Sequence, residues 1–268
     1  MKKVCAIVMA LCLLLAGLCP ALAEDKTYRI GICQLAPHPA LDAATQGFRD
    51  FLTEKLGDKV VFDEQNAAGE AATCMQIMNS FISEDVDLIM ANATASLQAA
   101  QSATGDIPIL GTAVTDYGVA LDLTCVDGKT GVNISGTSDL APLDQQAAMI
   151  KELFPEAKEV GLLYCSSEAN SAYQIEVMTQ ELTKLGFRCT EFAFSDSSDV
   201  TSMTSTACQN SDVIYVPTDN VVATCAEAIR NVAEVDRVPI IAGEEGACAG
   251  CGVATLSISY YELGRITG

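Results

Sequence analysis

The segment YRIGICQLAPHPALDAATQGFRDFLTEKL, residues 28–56, determines the expected fold. Its first part, residues 28–33, is a short apolar run with the length and composition of a buried β-strand. An amphipathic stretch follows at residues 41–56, in which Phe48 and Leu52 lie one helical turn apart and share one face. The segment therefore predicts a strand followed by a helix.

The same alternation continues along the chain. Further short apolar runs occur at residues 60–62, 88–91, 107–110, 160–164, 213–216 and 238–242. Strands that alternate with helices of this length form βαβ units and a parallel sheet. Right-handed crossovers then place helices on both faces of the sheet, and the loops that follow the strands lie along one edge. The expected fold class is α/β, with doubly wound parallel sheets.

Motifs of the first half recur in the second. Three pairs match: Ile30-Gly31-Ile32 with Val160-Gly161-Leu162 at an offset of 130, Asp87-Leu88-Ile89 with Asp212-Val213-Ile214 at 125, and Ile107-Pro108-Ile109 with Val238-Pro239-Ile240 at 131. Because the order is kept and the offsets are similar, we expect two similar lobes, residues 24–136 and 137–256, with residues 257–268 returning to the first lobe. No low-complexity linker separates the halves, so hinge strands are expected to join them.

The amino terminus has the pattern of a secretory signal. Lys2 and Lys3 precede an apolar run at residues 4–18, and Ala21-Leu22-Ala23 forms a small-residue cleavage site. The run is shorter than the roughly 18 apolar residues that a membrane-spanning helix needs. We therefore expect an exported protein, periplasmic or at the cell surface, that is cleaved after Ala23. Leu18 stands where a lipid-attachment motif requires a small residue, which argues against a lipid anchor.

Charge and cysteine content limit the partners and cofactors. Cleavage after Ala23 would change the formal net charge from −20 to −22, so no nucleic-acid partner is expected. Nine cysteines would remain, among them the single C-x-x-C pair of Cys248 and Cys251. A structural zinc site needs four ligands, and the chain contains one such pair and one histidine. We expect neither a metal nor a cofactor.

Motifs for catalysis are missing from the sequence. It has no G-x-S-x-G nucleophile elbow, no G-x-x-x-x-G-K phosphate loop and no G-x-G-x-x-G turn after the first strand. Asp219 and Glu245 could form the acid and base of a glycosidase. However, aromatic platforms for sugar rings are scarce and the chain has no tryptophan. The sequence therefore favours binding over catalysis.

Polar residues follow the predicted strands, at the edge where open α/β sheets bind ligands. The candidates are Gln34, His38, Thr94, Thr112, Asp116, Ser138, Asn170, Ser171, Asp219, Asn220 and Glu245. At predicted helix starts, Thr94 and Asn220 are equally suited to cap a helix and to contact a ligand. Two prolines flank His38 and favour a position at the rim of a cleft. Glu245, with its neighbour Glu244, is either part of a solvated acidic turn or a partner for a ligand ammonium group.

Six segments resemble ABC-transporter substrate-binding proteins of the tryptophan/tyrosine type, which have the type I periplasmic-binding fold. The segments are GICQ with HPALD at residues 31–34 and 38–42, TAVTD at 112–116, VPTDN at 216–220, AGEEG at 242–246 and YYELG at 260–264. VPTDN and AGEEG are the most specific of them. The resemblance covers residues 28–268 and implies two lobes of the type I fold.

The resemblance also implies a ligand and a way of holding it. The ligand would carry an α-amino and an α-carboxylate group, as in tryptophan, phenylalanine or tyrosine, and would lie between the lobes. Thr94 and Thr112 would hold its carboxylate and Asp219 its ammonium group. The polar ring would be completed by Gln34, Ser138, Asn170 and Glu245.

The partners implied are an ABC permease with its ATPase, and the binding protein itself would be a monomer. Members of the family usually continue beyond the LGR-x-TG helix start, so a closing helix is expected to be missing here. Two other functions remain open from the sequence: a periplasmic sensor that presents its ligand to a signalling receptor, and a hydrolase that uses the carboxylates of the cleft.

Overall fold

A computed structural model describes residues 26–268, so the predicted signal segment lies outside the described residues. The first lobe contains β1 (Tyr28–Gln34), α1 (Pro39–Leu56), β2 (Val60–Asn66), α2 (Ala71–Ser83), β3 (Leu88–Asn92), α3 (Thr94–Ala103), β4 (Ile109–Val114), α4 (Tyr117–Leu121) and β5 (Ile134–Ser138). A short 3-10 turn, Gly57–Lys59, joins α1 to β2. These strands form one parallel sheet in the order β2-β1-β3-β4-β5.

The second lobe has the same plan. It contains α5 (Leu143–Leu153), β6 (Glu159–Cys165), α6 (Ala169–Lys184), β7 (Arg188–Phe194), α7 (Val200–Asn210), β8 (Val213–Val216), α8 (Asn220–Thr224), α9 (Ala226–Asp236), β9 (Ile240–Ala242), α10 (Glu245–Cys251) and β10 (Ala254–Thr255). Its parallel sheet has the order β7-β6-β8-β9-β10. A last helix, α11 (Tyr260–Thr267), ends the chain.

The sheets confirm the repeat that the sequence predicts, since β1, β3 and β4 take the places of β6, β8 and β9. The repeated aspartates have the same role in both lobes. Asp87 Oδ2 accepts a hydrogen bond from the Arg29 amide at 2.8 Å, and Asp212 Oδ2 accepts one from the Glu159 amide at 3.0 Å. Each carboxylate thus joins the start of one strand to the start of its neighbour.

Each lobe has an apolar core around its sheet. In the first lobe, Ile32, Phe48 and Phe81 are fully buried, and the buried Phe48 confirms the predicted apolar face of α1. In the second lobe, Leu162 and Met178 are fully buried in the same way. Among residues 26–268, no helix combines the length and apolar character that a membrane span requires.

The chain crosses between the lobes twice, at residues 139–142 and at residues 256–259. After the second crossing, α11 packs closely on α1 of the first lobe. A Cβ on Gly47 would lie 2.0 Å from the Tyr261 carbonyl oxygen, and a Cβ on Gly264 would lie 2.0 Å from the Ala44 carbonyl oxygen. Only glycine permits this approach of the two helices, which brings the carboxyl-terminal helix back to the first lobe.

Candidate functional site between the lobes

A small cavity lies between the lobes, where the carboxyl ends of both sheets face each other. Its volume is about 20 Å³, which is room for about one water molecule. The polar residues that line it are His38, Thr115, Asp139 and Tyr260 on one side and Asn170, Thr218, Asp219, Asn220 and Glu244 on the other. An amino acid is much larger than this space, so the lobes must separate to admit one.

Side-chain hydrogen bonds join the lobes across this cavity. His38 Nε2 lies 3.1 Å from Asn220 Oδ1. Beside it, Gln174 Nε2 donates to Thr115 Oγ1 at 3.3 Å. Both contacts connect a loop of the first lobe to a helix of the second, so the lobes are closed on each other in this structure.

Three buried carboxyl groups line the cavity. Asp139, Asp219 and Glu244 are 4%, 2% and 2% exposed, and burial raises the pKa of each above its usual range. Among the described residues that line the cavity there is no lysine or arginine. A lining of acids without a basic residue gives the cavity a negative potential, so it favours a ligand group that carries positive charge.

Each of these carboxyl groups also has partners within the protein. Asp139 accepts hydrogen bonds from Thr115 Oγ1 at 3.1 Å and from the Tyr260 hydroxyl at 2.9 Å. The Asp219 carboxylate caps α8 by accepting from the Val222 amide at 2.9 Å.

The two helix-capping acids are alike. Asp219 also accepts from the Cys165 amide at 2.7 Å, and Glu244 caps α10 by accepting from the amides of Gly246 and Ala247. N-cap acids compensate the partial positive charge of a helix start. These backbone bonds therefore fix the carboxylates in place at the cavity wall.

Glu168 lies directly behind this wall. Its carboxylate accepts from Asn220 Nδ2 at 2.7 Å and from the Val221 amide at 3.1 Å. Burial, and then the neighbouring charge of Asp219, raise the pKa of Glu168 to about 7. The start of α8 is thus held by two acids, and Glu168 keeps its proton to a higher pH than a glutamate in water does.

Four predicted site residues line the cavity: His38, Asn170, Asp219 and Asn220. Ser171 supports one of them, because its hydroxyl hydrogen-bonds the Asp219 carboxylate. Their roles in binding remain predictions.

Several other predicted residues point elsewhere. Gln34 is buried within the first lobe, where Nε2 donates to Asp42 Oδ1 at 2.6 Å. Thr112 is buried with its hydroxyl 3.4 Å from Thr137 Oγ1, on the side of β4 that faces α11. Neither side chain lines the cavity, because alternate residues of a strand point to opposite faces.

Two more predicted residues lie along the edge of the first sheet. Asp116 caps α4 by accepting from the Val119 amide at 2.8 Å, and Ser138 Oγ donates to the Thr115 carbonyl at 2.7 Å. Both border a second cavity of about 720 Å³ beside β5, which is separate from the space between the lobes.

The predicted helix caps were displaced by one residue. Thr94 and Asn220 are the first residues of α3 and α8, and the N-cap positions belong to Ala93 and Asp219. The interpretation of Thr94 and Asn220 as caps is therefore wrong. Thr94 is buried at the start of α3 and does not line the cavity, whereas Asn220 does.

For the acidic pair Glu244 and Glu245, the predicted site residue is likewise one position away from the observed one. Glu245 is exposed in the first turn of α10, and its neighbour Glu244 is buried at the N-cap. An N-cap side chain folds back over the helix start, while the next residue points outward. The acid that faces the cavity is consequently Glu244.

Sequence reasoning missed Asp139 and Tyr260 as members of the site. Asp139 follows β5 at the first crossing and Tyr260 follows the second, so their positions at the hinge were the available signal.

Cys248 and Cys251, the C-x-x-C pair, lie on α10, and among residues 26–268 no cluster of His, Cys, Asp or Glu is arranged to hold a metal ion.

The comparisons with known proteins agree with this architecture. Residues 29–268 match the family model described as ABC transporter substrate binding protein. The chain belongs to this family. It is 40% identical over 248 residues to the tyrosine-binding protein of Clostridioides difficile (strain R20291), which covers 91% of this chain and 72% of that protein.

Two solved structures of similar proteins, one with L-Trp bound and one ligand-free and open, match this chain to different degrees. The ABC domain in complex with L-Trp from Streptococcus pneumonia has a TM-score of 0.87 at 31% identity, covering 91% of this chain and 83% of that one. The ligand-free, open structure of a substrate-binding protein with adhesive properties from Clostridium difficile has a TM-score of 0.66 at 39% identity, covering 90% and 82%. The family member described here is therefore closer in shape to the L-Trp complex, although its sequence is closer to the open protein.

Proposed function

We propose that this substrate-binding protein captures an aromatic amino acid between its lobes outside the cytoplasmic membrane and delivers it to an ABC permease powered by an ATPase. The observation that carries the proposal is the cavity wall formed by Asp139, Asp219 and Glu244, with no lysine or arginine among the described lining residues. Such a wall suits the ammonium group of an amino acid. The tyrosine and L-Trp named for the two relatives support an aromatic side chain.

The carboxylate of the ligand needs a different partner. The start of α3 has no side-chain cap, since Ala93 occupies the N-cap position. Free amides at a helix start bind carboxylates readily. We therefore retain Thr94 as a carboxylate contact that becomes accessible when the lobes open, and we assign the ammonium group to the three acids of the cavity wall.

Opening and closing of the lobes explain how a ligand is bound and released without being chemically altered. The direct bonds His38–Asn220 and Gln174–Thr115 form when the lobes meet. A ligand that bridges the lobes adds contacts to the closed state and shifts the population toward it. A sensor for a signalling receptor would use the same closure, but the family match supports transport. The protein acts as a monomer and as a carrier, not an enzyme, in this proposal.

The neighbouring acids of α10 provide a matched test. A thermal-shift screen of the twenty amino acids would first identify the ligand, and calorimetry would then measure its affinity. Glu244→Gln removes a buried charge at the cavity, so we expect a loss of affinity of about tenfold or more. Glu245→Gln removes an exposed charge and should change the affinity by less than about twofold. Equal effects of the two substitutions, or no stabilisation by any amino acid, would contradict the proposal.

A further inference from the structure

His38 is the only histidine of the chain, and its side chain makes one hydrogen bond, at the closing surface of the lobes. It occupies the N-cap position of α1 without capping the helix through its side chain. The residue is 7% exposed and lines the interlobe cavity. One ring nitrogen, Nε2, lies 3.1 Å from Asn220 Oδ1 in the opposite lobe.

The neighbours of Asn220 determine where the imidazole proton resides. Asn220 Nδ2 donates to Glu168 Oε2 at 2.7 Å, which orients the amide so that Oδ1 faces the imidazole. An amide oxygen only accepts hydrogen bonds, so His38 Nε2 must be the protonated nitrogen. In a neutral imidazole the other nitrogen then carries a lone pair and only accepts.

That acceptor is unpaired in the structure. His38 Nδ1 is buried and has no hydrogen-bond partner. The carboxyl groups of Asp139, Asp219 and Glu244 at the same cavity all have donors within the protein. A buried acceptor without a donor is costly, and among the described residues that line the cavity only His38 has one.

We propose that His38 Nδ1 accepts a hydrogen bond from the α-ammonium group of the bound amino acid while Nε2–H bonds Asn220 of the opposite lobe. A single imidazole then links the amine of the ligand to closure of the lobes. The assignment rests on the proposed function, which it deepens by naming the atom that accepts the hydrogen bond from the amine.

The surroundings are compatible with a neutral imidazole. Burial lowers the pKa of His38, against the opposing effects of its bond to Asn220 and of the nearby Asp42 on α1. The cavity wall also carries the acids Asp139, Asp219 and Glu244. With a neutral imidazole, the positive charge that these acids favour is the ammonium group of the ligand.

Two substitutions separate the two nitrogens. Asn places an amide near the position of Nδ1, and Gln reaches the position of Nε2. We expect His38→Gln to lose the acceptor and weaken L-phenylalanine and L-tyrosine equally, by about 10- to 100-fold. His38→Asn should retain more of the affinity than His38→Gln. L-Phenylalanine has no side-chain donor, so a loss confined to L-tyrosine would overturn the assignment to the amine.

Because the chain has one histidine, nitrogen-15 NMR of histidine-labelled protein observes this ring alone. The unmodified protein should show a protonated Nε2 and an unprotonated Nδ1, and the Nδ1 signal should move upfield when either amino acid binds. A protonated Nδ1, or an Nδ1 signal that does not move although calorimetry shows binding, overturns the role of His38. Absence of binding to the unmodified protein by calorimetry would instead overturn the proposed function itself.

Discussion

The Asp139 carboxylate accepts a hydrogen bond from the Tyr260 hydroxyl at 2.9 Å, and this bond joins the first crossing segment to the start of α11, directly after the second crossing. The residues are 121 positions apart in the sequence, and both are buried. Thr115 donates to the other oxygen of Asp139 at 3.1 Å. The hinge and the wall of the cavity therefore share one carboxyl group.

Removing the hydroxyl tests this hinge. Tyr260→Phe leaves Asp139 buried with one donor fewer, so we expect the free energy of unfolding to fall by about 1–3 kcal/mol. Urea denaturation measures the change. Tyr28→Phe is the matched control, because Tyr28 is 39% exposed. If both variants unfold at the same urea concentration, the bond does not stabilise the protein.

Two aspartates make the same capping contact, so replacing each of them distinguishes an effect on stability from an effect on ligand binding. Asp219 and Asp116 each accept from the amide three residues later and cap a helix of five residues. Replacing either with Ala should cost about 0.5–2 kcal/mol of stability. Only Asp219→Ala should also weaken amino-acid binding, since Asp116 does not line the interlobe cavity. Calorimetry with the ligand found by thermal shift distinguishes them, and an equal loss of affinity would show that Asp219 acts through the helix alone.

The crossing of α1 and α11 permits no side chain at Gly264. Alanine there would bring its Cβ to 2.0 Å from the Ala44 carbonyl oxygen, which must move the helices apart. We expect Gly264→Ala to destabilise the protein by about 1–3 kcal/mol although alanine favours helices. A Cβ on Gly105 meets no atom within 4 Å, so Gly105→Ala should change stability by less than about 0.5 kcal/mol. Thermal denaturation of both variants checks this, and a neutral Gly264→Ala would contradict the close packing.

Glu168 should make stability depend on pH near neutrality. Its pKa is raised from 4.5 to about 7 on folding, so the folded state binds its proton more tightly than the unfolded state. The resulting stabilisation is complete below the unfolded pKa and is lost as the pH rises through about 7. It amounts to about 3 kcal/mol for a shift of this size.

The test compares two glutamates over that pH range. The unmodified protein should lose stability between pH 5 and about pH 8 by denaturant titration. Glu168→Gln should reduce this dependence, and the part that remains belongs to Asp139, Asp219 and Glu244, whose pKa values burial also raises. Glu156→Gln, at an exposed surface position, should leave the dependence unchanged. An unaltered slope in Glu168→Gln would assign the pH dependence to other groups.

The sequence predicted the fold from patterns that are local or repeated. The apolar period of α1 and the three matching motifs are properties of short segments, and the repeated Asp87 and Asp212 have the same structural role in both lobes. These features follow from backbone geometry and burial, which act on neighbours in the chain. For this reason the two parallel sheets could be predicted from the sequence alone.

The site was harder to predict because it depends on one-residue register and on distant partners. The sequence indicated Glu245, which is exposed, whereas the acid at the cavity is its neighbour Glu244, one position earlier. Gln34 and Thr112 stand at the correct ends of their strands but point to other faces. The pairing of Asp139 with Tyr260 depends on how the two crossing segments meet, and no local pattern contains that information.

The most direct test of the acidic interlobe site is a calorimetric comparison of L-tryptophan with indole-3-propionate, which lacks only the amino group. If Asp139, Asp219 and Glu244 recognise the ammonium group, L-tryptophan should bind at least about 100-fold more tightly than indole-3-propionate at pH 7. Comparable affinities for the two compounds would show that the buried carboxyl groups do not recognise the amine.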